Sequence, residues 1–293
     1  MPETVHCGIS GNQLRTISGG GPLSGRIIEV NQRKVQVLES GSGAPLLYLH
    51  GFADVHSVKE SWMPFHETLA QRARVIAPAH PGCAQTDEYK DIDAIEDVVF
   101  HYLEVLDALK LTRFDLVGSG VGGWIAAELA VRHQEKIGKL VLLGASGLFV
   151  EGALIGDVFM MAQPEYGSSY ASLREMLFAS ADQENALEMF PDGKGELEDE
   201  VRRYQMLRLS SRIGFKPPYF YNRSLRNRLH RITSPTLVIW GEKDHFVPRS
   251  HGETYANLIS SSGELKIIPG AGHSIQVEKP QETAKLVLDF LAQ

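Results

Sequence analysis

The sequence predicts an α/β protein: a mostly parallel, eight-stranded sheet flanked by helices, carrying one helical insertion. Two observations predict it. Short apolar runs alternate with stretches whose apolar residues recur at helical spacing, the pattern of a parallel sheet with helices on both faces. That alternation stops near Ser146 and resumes near Leu229, and a gap of roughly eighty residues is far longer than an ordinary loop.

The first 25 residues are Gly/Ser-rich, end near the Gly19 to Gly21 run, and are expected to be a mobile leader, drawn over 1–24. RIIEV and KVQVLE, joined by NQR, read as an antiparallel hairpin at a sheet edge. APLLYLHG is a continuous apolar run, which suits a strand buried on both faces. SWMPFHETLAQRA reads as a helix and RVIAPAHPG as a strand entering a Pro/Gly loop. A long amphipathic helix is expected from Asp91, with Ile92, Ile95, Val98, Val99, Tyr102, Leu103, Leu106 and Leu109 facing the core. RFDLVG is a strand, Val121 to about His133 a helix, and KLVLLGA another buried strand.

The insertion, 148–228, contains the helical stretches ASLREMLFAS and ELEDEVRRYQMLRLS between the breaks PDGKG and GFKPPYFYN. Phe149, Phe159, Met161, Tyr166, Tyr170 and Phe178 are expected to pack its interior, and the ELEDE run reads as a solvated helix start. SPTLVIWG, a helix near HGETYANLISS, ELKIIP and a helix from Pro280 to Leu291 complete the main body, assigned to 25–147 and 229–293.

Composition narrows the function. The chain has 293 residues, a net charge of -7 and no polybasic stretch, so it has no cationic surplus with which to displace counterions from nucleic acid. Cys7 and Cys83 do not form a disulfide framework, and the leader lacks the apolar core of a signal peptide. FVEGALIGDVFMMA is interrupted by Glu151 and Asp157, so no membrane span is expected and a cytoplasmic protein is the natural reading. No His/Asp/Glu cluster has metal-ligand spacing, and neither metal nor cofactor is expected.

The informative stretch is FDLVGSGVGGW, Phe114 to Trp124, where a strand turns sharply into a helix. GSGVGG formally matches the dinucleotide fingerprint G-x-G-x-x-G. That reading needs an acidic residue about 20 positions on, at the end of the next strand, to hold the ribose. KLVLLGASG supplies none, and the turn follows the fifth strand rather than opening the domain. The rival is the nucleophile elbow, G-x-S-x-G, in which small residues flank a strained central position. Gly118, Gly120 and Gly122 occupy its alternate positions, whereas a frame centred on Ser119 puts Val117 and Val121 where side chains crowd the turn.

Through these glycines and the helix WIAAELA the chain resembles the α/β-hydrolase family, of the capped kind. The resemblance places Gly120 where the family has its nucleophilic serine. It makes LYLHGF the oxyanion loop, with the Phe52 and Val121 N–H groups as donors, and implies a pocket near His50, Gly51, Ser119 and Trp124. PAHPGCAQTD is similar to the family's next loop, although Ala79, Cys83 and Ala84 are unusual within it. The triad acid falls on Asp244 in LVIWGEKDHFVP, with Glu242 a neighbouring candidate, and the triad base on His273 in IPGAGHSIQVEKP. The insertion becomes a helical cap. His50 reads first as a structural residue of its own loop, and His56 and His80 are open as to whether they face the pocket.

Without an Oγ at position 120 there is no acyl-enzyme route, and loss of a triad nucleophile costs on the order of a millionfold in turnover. Three functions remain open. One is an enzyme that uses Asp244 and His273 as an acid–base dyad for water activation, proton abstraction, lyase or cyclase-like chemistry. Another is a silent module that binds a small apolar ligand. The third is a family hydrolase that has lost its nucleophile. The expected partner throughout is a small, largely apolar ester or carbonyl compound.

Overall fold

The computed structural model describes residues 24–161, 170–193, 196–260 and 263–293. The expected leader, apart from Ser24, lies outside them, as do Cys7, Tyr166 and the side chain of Met161. The strands are β1 (Ser24–Val30), β2 (Arg33–Ser40), β3 (Pro45–Leu49), β4 (Arg74–Pro78), β5 (Phe114–Ser119), β6 (Ile137–Leu143), β7 (Thr236–Gly241) and β8 (Glu264–Ile268). They form one eight-stranded sheet in the order β1-β2-β4-β3-β5-β6-β7-β8.

The edge hairpin expected at the start is present. Asn31 and Gln32 both adopt positive φ, the conformation of a two-residue turn whose twist matches its strands. β2 pairs antiparallel with β1 and β4, while β3 to β8 pair in parallel. The central runs are buried on both faces: Leu46, Leu47, Tyr48 and Leu49 in β3 and Leu140 to Leu143 in β6 are at most 1% exposed. Burying such a side chain contributes about 1.5–3 kcal/mol, which is why these strands carry no alternation. β8, at the opposite edge, alternates instead, with Glu264 and Lys266 outward.

Helices α1 (Pro64–Ala70), α2 (Ile95–Ala108) and α3 (Val121–Arg132) link the first parallel strands. β3 is followed by β4 on one side and β5 lies on the other, so right-handed crossovers put α1 and α2 on opposite faces. The first helix is shorter than SWMPFHETLAQRA suggests, because Pro64 sets its first position. α2 starts at Ile95 and not at Asp91, since the Asp97 carboxylate reaches back to accept the N–H groups of Asp93 and Ala94 and caps the helix there. Ile92 is buried all the same.

Between β6 and β7 lie α4 (Val158–Met161), α5 (Ala171–Leu177), α6 (Glu184–Met189), α7 (Leu197–Gly214) and α8 (Leu225–Arg228). α9 (Arg249–Leu258), α10 (Ile275–Glu278) and α11 (Pro280–Leu291) follow, and α11 packs against α1. Tyr170 and Phe178 are buried and Phe159 is packed against the core, but Phe149 is 44% exposed, its ring resting on Tyr221. No described helix is long and apolar enough to cross a membrane.

Candidate functional site

The loops that carry the expected site residues leave the carboxyl ends of β3, β5, β7 and β8, and β3 and β5 flank the point where the strand order reverses. In parallel sheets that point leaves a crevice above the strand ends, the usual position of a ligand. Asp244 follows β7 and His273 follows β8. His273 Nδ1 lies 2.9 Å from Asp244 Oδ2, with side-chain exposures of 5% and 1%. The other carboxylate oxygen, Oδ1, accepts the N–H groups of Phe246 (3.0 Å) and Val247 (2.8 Å), which lock the acid's orientation. The Phe246 ring meets the imidazole edge-on at 4.8 Å and limits its rotation. Glu242 does not share this contact, since its carboxylate accepts from the Gly270 N–H.

The turn into α3 has Gly120 at φ 55° and ψ -113°, a backbone conformation that strains any residue with a side chain. A Cβ built on Gly120 falls 3.0 Å from His273 Nε2 and 3.9 Å from the Cα of Gly51. The glycine at 122 serves close packing, because a Cβ there falls 2.1 Å from the carbonyl oxygen of Leu49. Val117 and Val121 are fully buried. Ser119, the last residue of β5, is 3% exposed and its hydroxyl interacts with that of Tyr48 below the turn. It makes no hydrogen bond to His273 among the described residues.

The loop after β3 holds buried polar groups against one another. Asp54 is fully buried and accepts from the Tyr48 hydroxyl (2.5 Å), the Gly51 N–H (3.0 Å), the Val55 N–H (2.8 Å) and Gln276 Nε2 (3.3 Å). Burial pushes its carboxyl up to about 6, against the lowering effect of those donors. His66 Nε2 lies 3.4 Å from Asp54 Oδ1, and burial holds His66 down at about 3, so it stays neutral. The N–H groups of Phe52 and Val121 have no acceptor among the described residues.

His50, Ser119 and Trp124 of the expected pocket are buried beneath the turn, as are His56 and His80, whose placement the sequence left open. His50 and His80 are stacked with centroids 3.7 Å apart and are fully buried. His56 is buried too, with Nε2 2.9 Å from the Ala77 carbonyl. Trp124 is 1% exposed, its indole N–H donating to Glu128 (3.2 Å). A cavity of about 320 Å³ has walls that include Phe52, Leu173, Leu177, Phe190, Met206 and Leu207; His50, Ser119 and Trp124 do not line it, nor do Gly120, Asp244 and His273, so Phe52 is where the site residues meet it. Its polar wall is Arg203, which donates to Glu200 (2.7 Å) and to the Met189 carbonyl (3.0 Å), with the Tyr170 hydroxyl on Glu200 (2.5 Å). The ELEDE run does start α7 with Glu196, Leu197 and Glu198 exposed, and its last member, Glu200, is 30% exposed and also lines the cavity. Arg203 is one helical turn from it, and that spacing was the available signal.

Asp54, Ser57 and Gln276 were not singled out by the sequence. Asp54 stands three residues after Gly51, the spacing of a side chain that folds back on its own loop, and that pattern was the faint clue. Among the described residues no group of three or more His, Cys, Asp or Glu could hold a metal ion.

A family model described as alpha/beta hydrolase fold matches residues 44–280. The 2-hydroxymuconate semialdehyde hydrolase of Pseudomonas sp. (strain CF600) is 32% identical over 290 aligned residues, covering 93% of this chain and 95% of that one. Monoacylglycerol lipase abhd6-A of Xenopus laevis is 27% identical, over 86% of this chain and 76% of its own. Among solved structures, a serine hydrolase from the polyaromatic hydrocarbon-degrading bacterium Cycloclasticus zankles superposes with a TM-score of 0.75 at 19% identity, covering 92% of this chain and 98% of that one, a likeness of fold. With the sheet order, the match over most of the chain and a curated hydrolase at 32% identity in agreement, the chain belongs to the alpha/beta hydrolase fold family.

Proposed function

We propose that this hydrolase-family chain acts on a small, largely apolar ester or carbonyl compound through an Asp244/His273 dyad, with Gly120 standing where the family carries its nucleophile. One observation carries the reading: the Cβ that residue 120 lacks would sit 3.0 Å from His273 Nε2, so a side chain at that position would be in direct contact with the imidazole. The frame is that of the elbow, and the side chain is missing.

With Asp244 accepting at Nδ1, the proton resides on Nδ1 and the Nε2 lone pair faces the turn. A water against Nε2 gives it a proton as its oxygen adds to the substrate carbonyl, or a C–H beside that carbonyl gives up its proton there in lyase or cyclase-like chemistry. Either route places negative charge on the carbonyl oxygen, which the Phe52 and Val121 N–H groups are suited to receive as an oxyanion hole. The apolar cavity, roofed by the helices between β6 and β7 acting as a cap over 148–228, suits an acyl or aryl group. Relatives named for a semialdehyde and for monoacylglycerol are consistent with a carbonyl- or ester-bearing substrate. The cytoplasmic assignment stays part of this proposal.

The test compares the native chain with Gly120→Ser, using short-chain aryl esters and a serine-reactive phosphonate. Labelling and burst kinetics are expected only in the serine form, and labelling of the native chain at Ser119 would overturn the frame. Any turnover of the native chain should fall by about 10³-fold or more in His273→Ala. No turnover by the native chain would instead favour a hydrolase that has lost its activity or a binding module, and turnover indifferent to His273 would overturn the dyad.

A further inference from the structure

We propose that Ser57 is a positioning residue for the Phe52 N–H, the last side-chain link in a one-way chain of hydrogen bonds that aims and polarises that donor. The inference rests on the reading of Phe52 N–H as an oxyanion donor. The chain begins at the His80 backbone N–H, which donates to His50 Nε2 (3.0 Å). That bond uses the lone pair of Nε2, so the neutral imidazole of His50 carries its proton on Nδ1, 2.8 Å from Ser57 Oγ and a longer 3.5 Å from the Gly51 carbonyl, which makes Ser57 the main acceptor. Ser57 Oγ therefore accepts from His50 and donates its own proton to the Gly51 carbonyl, 2.5 Å away. The Gly51 carbonyl and the Phe52 N–H belong to one planar peptide unit. A donor on the oxygen fixes the plane of that unit and, through amide resonance, makes the Phe52 N–H a stronger donor.

Each link has a fixed direction. The imidazole of His80 donates from Nε2 to the His50 carbonyl (2.9 Å) and accepts from Tyr102 at Nδ1, so it holds the His50 ring without competing for Ser57. His50, Ser57, His80 and Tyr102 are fully buried, and burial keeps His50 and His80 neutral, as the chain requires. On the other side of the same loop, Asp54 takes the Gly51 N–H, so both peptide units around Gly51 are held from below. The Phe52 N–H is the end of the chain and has no acceptor among the described residues. A hydroxyl that served only packing would not need a donor on one side and an acceptor on the other.

Amide NMR of the native chain and ester kinetics in the Gly120→Ser background test this together. Ser57→Ala should move the Phe52 amide proton upfield, Ser57→Cys, with its weak S–H donor, should move it part of the way, and Ser57→Thr should restore it. With p-nitrophenyl butyrate, kcat of the Gly120→Ser form should fall about ten- to a hundredfold on adding Ser57→Ala, less than deletion of an oxyanion donor outright. KM should change by less than about twofold, and Ser57→Thr should recover kcat. A Phe52 resonance that is unchanged in both Ser57→Ala and Ser57→Cys, or a kcat loss that Ser57→Thr does not rescue, overturns the role. If Gly120→Ser itself is inactive on the ester, the functional reading falls, while the Phe52 resonance still decides the place of Ser57.

Discussion

The loop after β3 and the helical segment between β6 and β7 face each other across the cavity, and they are held in opposite ways. In the loop, His50, Asp54 and Ser57 are fully buried, as is His66 of α1 beneath it, and Asp54 alone gathers four donors from three parts of the chain. The helical segment is tied to the sheet side partly by charged pairs nearer the surface: Arg208 and Arg212 to Glu88, Arg202 to Glu60 and Lys59 to Glu188. Such pairs each contribute only about 0–1 kcal/mol. Beside His273 the hold is firmer. The Ser274 N–H donates to the Leu177 carbonyl (2.9 Å), and Glu278 accepts from both the Ala179 N–H (2.8 Å) and the Gly272 N–H (2.7 Å). The loop is therefore held by buried hydrogen bonds, and the helical segment is fastened at its His273 edge by main-chain donors and near Glu88 by charged pairs, with Gln205 bonded to Ala84 and Arg212 to the Tyr89 carbonyl.

The largest effect should come from breaking the loop. Asp54→Ala leaves the Gly51 and Val55 N–H groups and the Tyr48 hydroxyl buried without their acceptor, and should destabilise the fold by about 3 kcal/mol or more, read as a lowered urea midpoint. A midpoint shifted no further than that of a surface variant would show that the loop is not held by Asp54.

A smaller effect concerns the protons that burial excludes. Burial holds His56 down at about 4 and His66, His80 and His101 at about 3, and lowers His50 as well. Their folded values lie below the unfolded one, so their contribution to stability is present above about pH 6.5 and is lost as pH falls towards 4 and 3. Asp54, raised to about 6, acts in the other sense: its contribution is present below the ordinary carboxylate range and is lost as pH rises through 6. The histidines outnumber it, so the fold should lose stability steeply below pH 6.5. His101, whose two ring nitrogens have no hydrogen-bond partner between Tyr89 and Tyr102, can be tested singly. His101→Phe should spare about 1.4 kcal/mol per pH unit below pH 6, measured by denaturation at pH 7.5 and 5.5. Parallel pH profiles for the two proteins would sink the assignment.

The smallest effect belongs to the helical segment. Glu88→Gln removes the carboxylate shared by Arg208 and Arg212 and should cost no more than about 1 kcal/mol. It should nevertheless speed amide hydrogen exchange in α7 more than in the loop after β3. Equal acceleration in both would mean that the two regions are one cooperative unit.

The central strands were legible because burial on two faces demands continuous apolar runs; Asp244 and His273 were named through the family resemblance, and the fold brings their side chains to 2.9 Å. The start of α2 was misread because its cap, Asp97, reaches backward from within the helix, while Asp91 looked like a cap in front of it. The ELEDE run was read correctly as an exposed helix start, but a charge run does not say which member turns towards a cavity, and Arg203 decided that for Glu200 by pairing with it. Phe149 reads as core by residue type, yet it is 44% exposed, resting on Tyr221.

Periodicity, apolar runs and glycine spacing depend on neighbours within a few residues, so the sequence by itself determined the α/β sheet, its helical insertion and the glycine turn at 118–123. Tertiary structure alone decided the rest. Gly51 lies beside the turn at Gly120 and His273 only because β3, β5 and β8 end on one side of one sheet, and the direction of the bonds through His50 and Ser57 depends on His80, thirty residues from His50. A hydrogen bond is a matter of ångströms, and separation along the chain does not encode it.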